Sequence, residues 1–107
     1  MISPFVLPKI GAAARRYFVT GERFDAQTAL RIGLVHEVAA DVDAAVAAVL
    51  EELLSAGPQA VRAAKRLVRE RPGGEEAAHV AAKLRAGAEG QEGLRAFLER
   101  RPADWRG

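Results

Sequence analysis

Gly21 to Val38, GERFDAQTALRIGLVHEV, changes its hydrophobic period within a few residues, and that change decides how the chain is read. Asp25 is an N-cap residue type, and Ala29, Leu30 and Ile32 follow at helical spacing. Gly33 ends that helix, because a glycine adopts the left-handed backbone of a C-cap at little cost. Beyond it, Leu34, Val35 and Val38 predict a short strand, the only one in the sequence. The segment therefore reads as helix, tight turn, strand.

Helical spacing dominates on both sides. Ser3 before Pro4 predicts an N-cap with proline at the first helical position, with Gly11 as the break and a second helix from Ala12 to about Val19. Asp41 is placed to cap a helix in which Val42, Val46, Val49, Leu50, Leu53 and Leu54 share one arc up to Gly57. Pro58 opens the next helix, with Ala60, Val61, Ala64, Leu67 and Val68 inward and Arg62, Lys65, Arg66 and Arg69 opposite. Pro72-Gly73-Gly74 is the one hinge candidate. A further helix is expected from Glu75 to about Ala86, with Val80 and Leu84 inward. Gly87 and Gly90 interrupt before a last helix, Gln91 to Arg101, that buries Leu94, Phe97 and Leu98. The expected fold class is mostly α with one short strand.

At 107 residues the chain fits one small domain. Half of it is hydrophobic, which argues against disorder, yet 23 of those residues are alanine and few are aromatic, so a self-contained core would be thin. Sixteen basic against fourteen acidic residues make a mixed surface without the footprint of a nucleic-acid binder. The absence of cysteine removes disulfides, thiol nucleophiles and thiolate metal sites. No signal-peptide pattern or long apolar run suggests export or a membrane span, and the expected compartment is the cytoplasm.

Few residues offer chemistry on their own. His36-Glu37 lacks the second histidine that a zinc hydrolase needs four residues on, since position 40 is alanine; His79 with Lys83 offers no ligand set. Glu51-Glu52 and Glu75-Glu76 are neighbours on helices and point about 100° apart, so neither pair flanks one substrate atom. Glu89 and Glu92 have a better interval, with Gly90 between them. Gly73-Gly74 before a helix lacks any phosphate-loop fingerprint, and the following glutamates already complement that helix end. The basic stripe on Arg62, Lys65, Arg66 and Arg69 has no interleaved aromatic residue and reads as a solvated face. Arg100-Arg101 beside Phe97 and Trp105 is a smaller basic and aromatic cluster.

ISPFVLPKIG, ARRYFVTGERFDAQTALRIGLVHEV, GPQAVRAAKRLV and EGLRAFLERRPADW, in that order, resemble the C-terminal portion of the enoyl-CoA hydratase/isomerase (crotonase) family. The resemblance is sharpest from Ile2 to Val38. It implies that residues 1–40 form the end of a spiral α/β core, with Phe24, Leu30, Ile32 and Val35 building its last turn. Residues 41–107 would form a C-terminal helical oligomerisation region. It further implies trimer-based homo-oligomers, and chemistry in which two backbone N–H groups polarise an acyl-CoA thioester while two glutamates act as general acid and base. Those amides and glutamates normally precede the ISP-like stretch. The resemblance thus implies a truncated or split family member without catalytic residues of its own, partnered by an N-terminal half, with coenzyme A as the substrate's carrier. Phe97, Arg100 and Arg101 match the neighbourhood that meets coenzyme A. A non-catalytic helical interaction module is the alternative, and neither nucleic acid nor a membrane is an expected partner.

Overall fold

The computed structural model describes residues 1–106, which carry seven α-helices and two 3₁₀ turns. The helices are α1 (Ser3–Ile10), α2 (Ala14–Thr20), α3 (Ala26–Arg31), α4 (Val42–Ser55), α5 (Pro58–Glu70), α6 (Gly74–Ala86) and α7 (Ala88–Glu99). The 3₁₀ turns are Gly11–Ala13 and Asp104–Arg106. The chain divides into two compact units, Met1–Ala45 and Val46–Gly107.

The first unit is organised by its helix ends. Ile2, not Ser3, is the N-cap of α1, and no side chain caps it; Gly11 closes that helix at φ 53°. In α2, Gly21 takes a left-handed conformation and donates its N–H to the Tyr17 carbonyl at 3.0 Å. The next residue, Glu22, accepts two hydrogen bonds from the Arg16 guanidinium at 2.8 and 3.0 Å, while Phe24 packs edge-on to Tyr17 at 4.7 Å. Asp25 then caps α3 as its sequence position predicts, accepting from the Thr28 N–H at 2.8 Å.

After α3 the predicted strand does not form. Gly33, at φ 85°, donates to the Leu30 carbonyl, and Leu34 donates to the Ala29 carbonyl at 2.9 Å, so the chain folds back on the helix in a Schellman motif. A strand needs a neighbour to receive its N–H and C=O groups, and no strand occurs among the described residues. The close approach at this turn explains the glycine: a Cβ on Gly33 would stand 3.0 Å from the Lys9 carbonyl at the end of α1. Ile10 and Ala29 are the buried apolar residues of this unit.

In the second unit α6 packs on both α5 and α7. The last helix begins earlier than its sequence suggests, and Gly90 lies inside it. A Cβ there would overlap the Leu84 and Arg85 backbone, so this glycine lets the first turn of α7 approach the end of α6. Asp41 caps α4 through the Ala44 N–H at 3.0 Å.

Burial departs most from expectation. The stripe Val42, Val46, Val49, Leu50, Leu53 and Leu54 on α4 is exposed, as are Leu67 and Val68 on α5, Val80 on α6 and Leu94, Phe97 and Leu98 on α7. In the first unit Leu30 and Val35 are exposed as well, while Ala96 is the buried apolar residue of the second. Helical period identifies an apolar face but not the surface that covers it. No described helix is long and apolar enough to cross a membrane.

Gly33→Ala is expected to lower stability by roughly 1–2 kcal/mol, the cost of a side chain in a left-handed conformation. Gly74→Ala, at an open helix position, is expected to be neutral or stabilising by up to about 1 kcal/mol. Thermal unfolding followed by circular dichroism compares the two.

Candidate functional site

The residues singled out for coenzyme A, Phe97, Arg100 and Arg101, lie at the C-terminal end of α7 and just beyond it. Phe97 is 77% exposed and Leu98 69%, on the same helix as buried Ala96. The helix closes in a Schellman motif: Arg101 donates its N–H to the Ala96 carbonyl at 3.0 Å and Arg100 donates to Phe97 at 3.3 Å. Arg100 takes the left-handed position of that motif, at φ 53°, where a residue with a Cβ costs about 1–2 kcal/mol.

The two arginines differ in their surroundings. Arg101 is half-buried and forked against Glu92, nine residues back in the sequence, with contacts of 2.6 and 3.0 Å. It also donates to Glu99 at 2.6 Å and to the Pro102 carbonyl at 3.1 Å. Arg100 is exposed and takes part in no ion pair among the described residues. The structure therefore brings Phe97 and Arg100 to one exposed helix end and engages Arg101 internally.

Glu92 holds more than Arg101. Its side chain is only 12% exposed and also accepts the Asp104 N–H at 3.1 Å. The Arg101 guanidinium, aided by that N–H, lowers the Glu92 carboxyl from the ordinary range to about 2. The tail so held places Trp105 against Gly93, where a Cβ would come within 3.3 Å of the indole. Its ring N–H donates to the Ser55 carbonyl at the end of α4 at 3.2 Å. Arg106 reaches Glu51 at 3.0 Å.

Glu89, one turn before Glu92, serves a different helix. Its carboxylate accepts the Gln59 and Ala60 N–H groups at 2.9–3.0 Å, capping α5, whose own N-cap residue is Gly57 and supplies no side chain. A Cβ on Gly57 would collide with that carboxylate. The Glu89 and Glu92 interval noted in the sequence thus belongs to two structural carboxylates. A glycine N-cap before Pro58, with no polar side chain of its own, is the sequence signal of a cap supplied from elsewhere.

The remaining candidates are dispersed. His36 lies exposed in the irregular segment after α3 and His79 lies exposed on α6. Glu51 pairs with Arg106, while Glu52, Glu75 and Glu76 are exposed on their helices. Gly73 and Gly74 begin α6 without a close neighbour. On α5 the basic stripe is solvent-facing, and Arg66 pairs with Glu70 at 2.9 Å. Between α5 and α6 an open groove of about 390 Å³ has a floor of small and apolar residues, including Ala60, Ala64, Leu67, Val80 and Ala81. It includes none of Phe97, Arg100 and Arg101.

The Glu92 geometry fixes an acid response. A carboxyl held at about 2 when folded, against roughly 4.3 in an unfolded chain, contributes stability that is complete above the unfolded value and lost as pH falls through the folded one. Trp105, the only tryptophan, is expected to change its emission between about pH 4.5 and 2 as the tail detaches. Glu92→Gln is expected to give the detached emission already at neutral pH. An acid titration of fluorescence checks both.

No curated protein matches the chain significantly. The family model for enoyl-CoA hydratase/isomerase matches residues 1–107. Among solved structures, an enoyl-CoA hydratase from Shewanella pealeana is similar at 39% identity and a TM-score of 0.81, over 97% of this chain and 42% of its own. AtuE of Pseudomonas aeruginosa is similar at 40% identity and a TM-score of 0.83, over 99% of this chain and 45% of its own. An enoyl-CoA hydratase from Mycobacterium avium is 40% identical, over 97% of this chain and 44% of its own, with a TM-score of 0.51. The chain therefore spans less than half the length of these structures. With the family model matched from end to end, the chain belongs to the enoyl-CoA hydratase/isomerase family.

Proposed function

We propose that this chain is the C-terminal portion of an enoyl-CoA hydratase or isomerase and acts only with the rest of the family's fold. Residues 1–40 form the end of the spiral core, and residues 41–107 form the helical region that supports oligomers and closes the acyl-CoA site. Phe97 and Arg100 contact the coenzyme A portion of the substrate, with Arg101 beside them. The general acid, the general base and the paired amides that polarise the thioester lie outside these 107 residues.

The observation that carries this reading is coverage: the chain matches solved relatives along nearly all of its own length but only 42–45% of theirs. The exposed apolar stripes on α4 and α7 fit helices whose covering surface is on another polypeptide segment. The same stripes favour a second reading, a non-catalytic helical module that binds family partners or copies of itself through α4.

Catalysis of hydration needs both halves of this chemistry. One preorganised oxyanion donor is typically worth about 10²–10³ in rate. Positioned acid and base groups contribute about 10²–10⁴. The chain alone is therefore expected to leave crotonyl-CoA unchanged, as followed by enoyl-thioester absorbance. Addition of a separately expressed N-terminal half from a relative of this family is expected to produce turnover. Robust turnover by the repurified chain alone overturns the proposal, and a stable complex without turnover favours the non-catalytic module.

A further inference from the structure

Arg100 and Arg101 are neighbours in the sequence, yet only Arg101 is engaged by other side chains among the described residues. The Arg101 guanidinium is taken up by both oxygens of Glu92, by Glu99 and by the Pro102 carbonyl. A planar guanidinium matches a carboxylate fork in two parallel bonds, which fixes orientation as well as proximity. Glu92 also receives the Asp104 N–H, so a single carboxylate fixes where the chain goes after α7. Arg100 meanwhile keeps a left-handed conformation that glycine would adopt more easily, and its side chain stays exposed.

We propose that Glu92 is a positioning residue for the ligand end of α7: by holding Arg101 and the tail, it leaves Arg100 as the arginine that meets a phosphate of the coenzyme A carrier. This rests on the reading that the end of α7 meets an acyl-CoA. Arg101 acts through its ion pair and not on the ligand. Glu92 thereby sets which of two adjacent cations the phosphate finds, while Phe97, exposed three residues before Arg100, offers an apolar surface beside it.

Reaction of the full chain with phenylglyoxal, mapped residue by residue by tandem mass spectrometry, separates the two arginines. Arg101 is expected to react several-fold more slowly than Arg100, and Glu92→Gln is expected to remove that difference while far-ultraviolet circular dichroism keeps its helical signal. Coenzyme A is expected to protect Arg100 in the unaltered chain, and Glu92→Gln to weaken that protection several-fold. Glu92→Asp, which keeps the carboxylate, is expected to restore part of it, an outcome that a packing role alone does not give. Protection by coenzyme A but not dephospho-coenzyme A assigns the contact to the 3′-phosphate; equal protection assigns it to the diphosphate. Equal reactivity of the two arginines in the unaltered chain, or protection of Arg100 that Glu92→Gln leaves unchanged, overturns the positioning role. Absence of any protection, with the reactivity difference intact, overturns the coenzyme A reading, and the ligand assigned to Arg100 falls with it.

Discussion

A carboxylate from the first turn of α7 sits in front of α5 and takes two of its free N–H groups, and the second unit depends on that contact. The helix it caps begins with Gly57 and Pro58, neither of which offers a side-chain acceptor. Glu89 supplies the missing acceptor from thirty residues away, and the positive end of the helix dipole attracts its charge. Such a long-range cap places tight demands on its surroundings. Gly57 must lack a Cβ so that the carboxylate fits, and Gly90 must lack one so that α7 starts close enough to α6 to aim it. One turn later Glu92 binds Arg101 and returns the tail to Gly93. Two carboxylates and three glycines thus organise a unit that buries little apolar surface.

Polar organisation of this kind differs from stabilisation by a core. Buried apolar area contributes roughly 25 cal/mol per Å², but these helices leave most of their large side chains uncovered. What holds the helices in register is directional: caps, a forked ion pair and an indole N–H on a helix-terminal carbonyl. Directional contacts specify geometry at modest net gain.

Helix boundaries were legible in the sequence where a local residue creates them. Asp25 and Asp41 cap α3 and α4, and Gly33 turns the chain after α3, because each acts within a few positions of itself. The strand after Gly33 was not legible as absent, since pairing depends on a neighbour that no local pattern encodes. The interruption expected at Gly90 failed for a related reason: helix propensity counts the cost of glycine, but not the gain from letting two backbones approach. At the end of α7, the family resemblance singled out Phe97, Arg100 and Arg101 together. It could not separate the arginines, because their difference arises from Glu92, whose approach to Arg101 requires the helix to close as it does. Glu89 and Glu92 stand out in the sequence as a spaced pair, but their partners lie outside α7, on α5 and in the tail.

The bare stripe on α4 has a kinetic consequence for assembly. This helix is rich in alanine and leucine, residues that lose little on entering a helix, and it begins with a side-chain cap. Its backbone order is therefore encoded locally, ahead of any docking. A partner that covers Val46, Val49, Leu50 and Leu53 meets a ridge already shaped, so little of the binding free energy goes into folding the helix on contact. Rapid rigid docking, with association limited by orientation, is the behaviour such a preformed surface favours over slow mutual folding.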